Sequence, residues 1–360
     1  MTLEEARAAF PVLERFAYLN AGSAGPLARA TVEAMRRHLD GDLERGRSGR
    51  PYFDEMLELR ERLRARIGRL IDVSAENVAL VDSTSRGCST VLAGLGLRPE
   101  DEIVTTDVEH FGLLGPVHAS GTRVRVAHLR ERPAEEALDA ILAEVTPRTR
   151  LVAVSHVSWM TGQLLPIADL KERVAAPVLV DGAQSVGAIP VDAAGIDFYT
   201  ISGQKWLCGP DPTGALYVAD PERLEVGAPT YFAQERYEPD GAFVPRPGAA
   251  RFDSGWIAPA SLDGLLAAID VAPKWRFEGG LRAAERCREL LADSVELVTE
   301  PDQATLLTFV AHDNAEETAA RAYEQGVVIR DLPGTKWLRA SCGYWTNEDD
   351  LQRLVAAISS

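Results

Sequence analysis

Three polar features follow apolar runs at separate places in the chain. The segment VDSTSRG places Ser83 and Thr84 before a small-residue helical pattern, where hydroxyls and helix N-terminal N–H groups can hold an anion. Asp181 directly follows the run PVLV, and Lys205 follows the next run, DFYTIS, in the segment TISGQKWLCGP. A carboxylate or an amine at the end of a buried strand is unfavourable without a partner, so these positions indicate chemistry.

Each feature also has an ordinary explanation. Ser and Thr are preferred helix N-caps, Asp181 could cap a helix, and Lys205 could be solvated. The combination is more specific than its members, because pyridoxal phosphate needs a cradle for its phosphate, a carboxylate for its pyridine nitrogen and an amine for its aldehyde. The three features in this order therefore predict a site for pyridoxal 5'-phosphate.

Short apolar runs alternate with helical patterns through the first two thirds of the chain, which predicts a mostly parallel sheet covered on both faces. The seven runs are NVALVD, EIVTTD, VRVAHL, RLVAVSH, PVLVDGA, DFYTIS and GALYV. Residues 225–255 lack a clear hydrophobic period, and this absence predicts a functional loop. The remaining patterns predict a smaller α+β domain. Ligands of open α/β sheets lie beyond the carboxyl ends of the strands, where His110, Asp181 and Lys205 are expected.

The composition limits the classes of molecule that this protein is expected to bind. The 360 residues carry a formal net charge of −16, which disfavours nucleic acid and anionic membranes. The N-terminal segment lacks a signal-peptide pattern, and no apolar run is long enough for a membrane span. The four cysteines form no CxxC pair, which argues against a zinc site or a disulfide framework. We expect a cytoplasmic enzyme with a small-molecule substrate and no metal.

The chain resembles the class V aminotransferase-fold family of pyridoxal-phosphate enzymes, which includes cysteine desulfurases, isopenicillin N epimerase and cysteine/cystine C–S lyases. The segments LVDGAQSVGAIPVD and DFYTISGQKWLCGP carry the resemblance, and DSTSRGCSTVLAGL and SHVSWMTGQLLPI are most similar to the C–S lyases. The resemblance implies the α/β fold type I of pyridoxal-phosphate transferases, a large domain at 16–255 with a mostly parallel seven-stranded sheet, a small α+β domain formed by 1–15 and 256–360, and a homodimer.

The resemblance also implies roles for individual positions. Lys205, His110 and Asp181 are the implied catalytic residues, with Lys205 forming the Schiff base and moving the substrate's α-proton. The residues implied to bind the cofactor are Ser83, Thr84, His110, Asp181, Gln184, Ser202, Gln204 and Lys205. Arg339 and Asn20 are implied to bind the substrate, although a surface ion pair is the ordinary alternative for Arg339.

Three positions depart from the family pattern. Gln204 stands where relatives usually have His, and Trp159 stands where desulfurases have Asn. Trp256 stands where relatives have a Thr that reaches the phosphate of the neighbouring subunit. Ser254 could substitute for that Thr. A desulfurase also needs a thiolate before the carboxylate-binding arginine, and the segment RDLPGTKWLR contains no cysteine. We therefore expect β-elimination from cysteine, cystine or a related sulfur amino acid. The alternatives are a desulfurase, an epimerase, an aminotransferase or a non-catalytic scaffold.

Overall fold

The computed structural model describes residues 1–359. Its strands are β1 (Ala17–Tyr18), β2 (Val78–Val81), β3 (Glu102–Thr106), β4 (Arg123–Ala127), β5 (Thr149–Ser155), β6 (Val178–Asp181), β7 (Phe198–Ser202), β8 (Gly214–Val218), β9 (Gln234–Tyr237), β10 (Phe243–Pro245), β11 (Leu306–Val310), β12 (Val327–Val328), β13 (Arg330–Asp331) and β14 (Trp337–Ser341).

The α-helices alternate with these strands. They are α1 (Leu3–Ala8), α2 (Arg29–Arg45), α3 (Gly49–Leu70), α4 (Thr84–Gly94), α5 (Phe111–Ala119), α6 (Ala137–Glu144), α7 (Ile167–Arg173), α8 (Pro259–Val271), α9 (Arg276–Leu291), α10 (Ala315–Glu324) and α11 (Glu348–Ile358). Within residues 1–359, none of these helices has the length and apolar character needed to cross a membrane.

The predicted seven-stranded sheet is confirmed. Its strand order is β2-β8-β7-β6-β5-β3-β4, and only β8 runs antiparallel to its neighbours. The strands β2, β3, β6, β7 and β8 are buried along their whole length, as expected for Val/Ile/Leu runs covered by helices on both faces. The carboxyl ends of the parallel strands β3 to β7 share one edge of the sheet.

The C-terminal part contains a second sheet with its own apolar core. The antiparallel order is β11-β14-β13, and α9, α10 and α11 contribute buried residues to the same core as Leu338 and Ala340. The sequence pattern VVIRD predicted one strand, but the structure divides it. Val327–Val328 pairs with β1, whereas Arg330–Asp331 pairs with β14, because the two halves face different partners.

The predicted domain limits, 16–255 against 1–15 with 256–360, stay a prediction. Two contacts cross these limits. The strand β1 pairs with β12 in the C-terminal part, and α8 buries Leu262 and Leu265 in the large core together with residues of α3. The irregular stretch 225–255 contains a short hairpin, β9–β10, which its lack of apolar alternation concealed.

Candidate active site

Lys205 lies in a turn immediately after β7, at the carboxyl edge of the sheet. Its amine forms no hydrogen bond or ion pair within residues 1–359. Desolvation lowers the pKa of Lys205 to about 8, and the Asp181 carboxylate only partly opposes this effect. An amine with a lowered pKa is partly neutral near pH 7 and can act as a nucleophile.

Asp181 ends β6 beside this turn. Its Oδ1 accepts hydrogen bonds from the Ala183 N–H, at 2.9 Å, and from the Thr200 hydroxyl, at 3.4 Å. Its Oδ2 accepts no hydrogen bond from any residue that the structure describes. A buried carboxylate with one oxygen held and the other free fits a protonated ring nitrogen.

Gln184 is held in one orientation by two contacts. Its Nε2 donates to the Gly22 carbonyl and its Oε1 accepts from the Trp206 indole, both at 2.9 Å. An amide nitrogen has two hydrogens, so one donor of Gln184 remains for a ligand oxygen. The Trp206 contact explains why a Trp follows Lys205 directly, which the sequence alone did not indicate.

His110 begins α5 and caps it. Its Nδ1 accepts a hydrogen bond from the Gly112 N–H at 3.0 Å, which leaves the proton of a neutral ring on Nε2. Burial lowers the pKa of His110, and the nearby Lys205 ammonium lowers it further. The Trp159 ring meets the imidazole edge to face, with centroids 5.0 Å apart. His110 is therefore a neutral ring of fixed orientation.

The N-terminus of α4 lies close to that of α5. A Cβ on Gly112 would stand 2.5 Å from the Ser85 hydroxyl, so glycine is needed for this approach. Ser83 caps α4 by accepting from the Arg86 N–H and donates to Asp82. The Thr84 hydroxyl makes no hydrogen bond within residues 1–359. Thr84 is thus freer than Ser83 to hold an anion at this helix end.

Ser202 and Gln204 flank the other side of the lysine turn. The Ser202 hydroxyl donates to Gln204 Oε1 at 2.7 Å, which leaves the Gln204 amide nitrogen without a partner among the described residues. The backbone of Gln204 also accepts from the Gly25 N–H at 2.8 Å. These contacts join the lysine turn to the N-terminal segment 20–25.

Arg339 lies on β14 and is fully buried. Its Nη1 donates to the Trp159 carbonyl at 2.9 Å and its Nη2 to the Ser23 hydroxyl at 3.4 Å, while its Nε has no partner in the part of the chain that the structure describes. Burial, followed by the neighbouring Arg330, lowers the pKa of Arg339 to about 9. The ordinary alternative, a surface ion pair, is excluded because Arg339 is buried and meets no carboxylate within residues 1–359.

Arg330 is a site residue that the sequence analysis did not select. It is the direct cross-strand partner of Arg339, donates to the Ser23 hydroxyl at 3.0 Å and has no carboxylate partner within residues 1–359. The two arginines are each four residues from the pair Gly334 and Thr335 in the turn between β13 and β14. A hairpin around that turn would have placed them side by side, which is the signal that could have found Arg330.

Asn20 joins this arginine pair through the chain's N-terminal segment. Its Oδ1 accepts from the Ser23 hydroxyl at 2.8 Å, and its backbone forms a bridge with Ser341. A Cβ on Gly22 would stand 2.7 Å from Arg339 Nη2, so a larger residue here would displace the guanidinium. The structure therefore brings together Asn20 and Arg339, which are more than three hundred residues apart in the chain.

His156, the histidine of the segment SHVSWMTGQLLPI, has a different position. Its Nδ1 is 2.7 Å from the Tyr199 hydroxyl, which in turn is 2.6 Å from the Ser185 hydroxyl. Burial lowers the pKa of His156 to about 4. This network supports the turn after Asp181 from within the core.

The chemistry of the donor set fits pyridoxal phosphate. An unpaired amine, a carboxylate with a free oxygen, a fixed amide donor and a neutral imidazole lie beyond the carboxyl ends of a mostly parallel sheet. This is the arrangement of a pyridoxal-phosphate enzyme of fold type I.

Comparison with known proteins gives the family. The model of the aminotransferase class-V family matches residues 17–354, and the chain belongs to this family. It is 29% identical to isopenicillin N epimerase of Streptomyces clavuligerus, over 99% of this chain and 98% of that protein. It is 30% identical to a probable cysteine desulfurase of Pseudomonas aeruginosa, over 98% of this chain and 96% of that protein.

Solved structures agree on the fold and the cofactor. A lysine-to-alanine variant of C-DES, with glycine covalently linked to its PLP cofactor, superposes with a TM-score of 0.90 at 27% identity, covering 98% of this chain and 99% of that one. The cystine C–S lyase C-DES in complex with cysteine persulfide gives 0.89 at 28% identity, with the same coverage. The protein is a pyridoxal-phosphate-dependent enzyme, so the alternative of a non-catalytic scaffold is wrong.

Proposed function

We propose that this enzyme is a C–S lyase, which eliminates the sulfur group from a cysteine-derived amino acid and releases pyruvate, ammonia and a sulfur product. The relatives named above carry three different activities: epimerase, desulfurase and lyase. The choice among them rests on the residues of this chain.

The burial of the cysteines carries the proposal. All four are at most 3% exposed. Desolvation raises the pKa of Cys208 far above its usual value, and the hydrogen bond with Cys287, followed by burial, does the same for Cys342. A thiolate is the reactive form of cysteine, so none is placed to take sulfur from a substrate. This favours elimination over desulfuration.

The cofactor residues keep the roles assigned by resemblance, as part of the proposal. When bound, pyridoxal phosphate supplies an electron sink for the pair left at the α-carbon. Asp181 Oδ2 would pair with the ring nitrogen, Gln184 Nε2 would donate to the phenolic oxygen, and His110 would lie against the ring face. The phosphate would be held by Thr84, Ser83, Ser202 and Gln204.

Lys205 would have two roles, holding the cofactor and moving a proton. Its amine would hold the aldehyde carbon, and after exchange with the substrate amine it would accept the α-proton at Nζ. Because burial places the pKa of Lys205 at about 8, the amine can both take up and return a proton near neutral pH. Loss of the α-proton and of the sulfur group, which departs with the electron pair of the C–S bond, leaves a product that water converts to pyruvate and ammonia.

The arginine pair favours a substrate with two carboxylates. Arg339 would bind the α-carboxylate, and Asn20 would orient it through Ser23. Arg330 adds a second guanidinium without an acidic partner within residues 1–359. Arg339 is buried and Arg330 half-buried, and two such neighbouring cations without a carboxylate partner within residues 1–359 are unfavourable unless anions join them. Cystine carries two carboxylates, whereas cysteine carries one, so we propose cystine as the preferred substrate among the expected ones.

A homodimer is also part of the proposal. Trp256 and Tyr231 are 61% and 52% exposed and stack on each other with centroids 6.4 Å apart. Exposed, rigid aromatic side chains of this kind are typical of interfaces, and the family resemblance implies a dimer with the active sites at the subunit boundary. Trp256→Ser is expected to raise the monomer fraction in light scattering coupled to gel filtration.

The identity of the products distinguishes the candidate reactions. With cystine, the holoenzyme should release pyruvate and ammonia in equal amounts, and Cys208→Ser and Cys342→Ser should retain full activity. Alanine together with an enzyme-bound persulfide would instead identify a desulfurase. Inversion of an amino acid without pyruvate would identify an epimerase, and dependence on an added keto acid an aminotransferase.

A further inference from the structure

Glu109 is a buried carboxylate next to the site that the proposed chemistry does not use. It directly precedes His110 and is only 4% exposed. Its Oε1 accepts from the Thr106 hydroxyl at 2.8 Å, and its Oε2 accepts from the Ser155 hydroxyl. The Ser155 N–H is shared between the two oxygens, at 3.1 and 3.0 Å. Only neutral groups contact this carboxylate within residues 1–359, and it forms no ion pair there.

The position of Glu109 follows from the way two strands separate. The β3–β5 ladder ends at Val104–Val152. Along β5, Val152 and His156 direct their N–H groups to the β6 side, so the Ser155 N–H, one residue before His156, faces the β3 side. The Glu109 carboxylate takes the place of the missing strand acceptor. It thereby ties the segment before His110 to the end of β5.

Glu109 lies one strand away from Asp181. Ser155, which Glu109 binds, is the register partner of Asp181 across β5 and β6. The two charges influence each other: burial raises the pKa of Glu109 to about 7 against its hydrogen bonds, and Asp181 adds to the rise. A cation placed against Asp181 therefore experiences both carboxylates.

A neutral amide would fulfil the structural role equally well. A Gln at this position could accept from the Ser155 N–H and donate to a hydroxyl, since hydroxyls both accept and donate. A buried charge without a counter-ion destabilises the protein, so the charge itself requires an explanation. The protonated pyridine ring of the cofactor is a cation that would be held at Asp181.

We propose that Glu109 is a positioning residue for the cofactor: its negative charge reinforces Asp181 in holding the protonated pyridine ring, while its hydrogen bonds fix the backbone that carries His110. The proposal concerns cofactor binding and does not depend on the identity of the sulfur substrate. Its test therefore uses no amino acid, and its failure would leave the proposed C–S lyase activity untouched.

The test compares two properties of Glu109→Gln in the full chain at pH 8, above the pKa of Glu109 of about 7, so that the wild-type carboxylate is mostly ionised. We expect the dissociation constant for pyridoxal phosphate, measured by absorbance titration, to rise about tenfold because one of two attracting charges is lost. We expect the midpoint of thermal unfolding without cofactor to rise by about 2 °C, because a buried unpaired charge is removed. A purely structural role predicts an unchanged dissociation constant and a midpoint that does not rise, because Gln can keep the hydrogen bonds, and that result would overturn the proposal.

Glu102→Gln is the matched control. Glu102 lies at the opposite end of β3 and binds Thr146 and Arg148, so we expect a lower unfolding midpoint and a dissociation constant within about twofold of the wild type. If Glu109→Gln does not fold, Thr106→Val removes one of the donors that stabilise the charged form. It should weaken cofactor binding about threefold, and unchanged binding would contradict the proposal.

Discussion

At the residue scale, the central property of the site is an amine kept without a partner. Lys205 is surrounded by groups that disfavour its charge, with desolvation first and the arginine pair among the others, and Asp181 offsets them only in part. The consequence is a lysine that titrates near physiological pH, which its position in the chain could suggest but not establish.

The rate of cofactor attachment reports this titration. Only the neutral amine attacks an aldehyde, so attachment of pyridoxal phosphate to the cofactor-free chain should accelerate about tenfold per pH unit below pH 8 and level off above it. The visible absorbance of the bound cofactor, followed by stopped flow, measures this rate. A rate still rising at pH 10 would show an ordinary solvated lysine, and Lys205→Ala should develop no such band.

Substitutions of Arg330 and Arg339 should affect cystine and cysteine differently. Arg330→Met removes the second cation, so KM for cystine should rise roughly 10- to 100-fold, as expected for losing a charge-assisted hydrogen bond of about 1.5–3 kcal/mol. KM for cysteine should change less than about twofold. Arg339→Met should raise KM for both substrates. Equal effects of Arg330→Met on cystine and cysteine would exclude a second carboxylate subsite.

At the scale of elements, one buried ion cluster joins α3 to β2 and to the loop that carries Trp256. Asp253 binds Arg60 and Arg64 of α3 and accepts from the Leu80 N–H of β2. Arg60 also donates to the Gly255 carbonyl. The loop at 253–256, which carries the proposed dimer contact, is therefore held from the core side.

Removal of the Asp253 carboxylate should destabilise the protein strongly. Asp253→Asn leaves two buried guanidiniums without their counter-charge, which should lower the free energy of unfolding by about 3–5 kcal/mol in urea. Arg66→Gln is the control, because the Arg66–Asp270 pair is exposed and should contribute about 0–1 kcal/mol. Similar small losses in both variants would contradict a structural role for the cluster.

At the scale of the whole molecule, the distribution of cysteines separates the candidate reactions. Cys88 and Cys208 belong to the cores around the main sheet, and Cys287 and Cys342 belong to the C-terminal core. All four therefore act as small apolar side chains. The molecule has no thiol at the surface or beside the arginine pair within residues 1–359.

Thiol titration checks this distribution. The native holoenzyme should react with less than about one equivalent of a thiol reagent such as dithionitrobenzoate, because burial keeps the thiols protonated and inaccessible. The four cysteines should react once the chain is unfolded in guanidinium chloride. A fast-reacting native thiol whose modification abolishes turnover would return the desulfurase to consideration.

The sequence by itself determined the strands of the main sheet and the cofactor. Apolar runs separated by helical patterns specify strands and helices locally, and the polar residues at the carboxyl ends of the parallel runs belong to one edge of the sheet. Lys205 and Asp181 were predictable for this reason, as was the seven-stranded sheet. The hydroxyl at Ser83 remained ambiguous, and the structure shows that it caps a helix.

Only the tertiary structure decided which distant residues meet. The contacts among Asn20, Ser23, Arg330 and Arg339 depend on the N-terminal segment lying against β14. The contact of Glu109 with Ser155 depends on where β3 and β5 separate. Local periodicity does not predict such contacts, because they arise from the packing of the whole chain. The amine could be identified in the sequence, whereas the burial and the neighbouring charges that set its pKa depend on the fold.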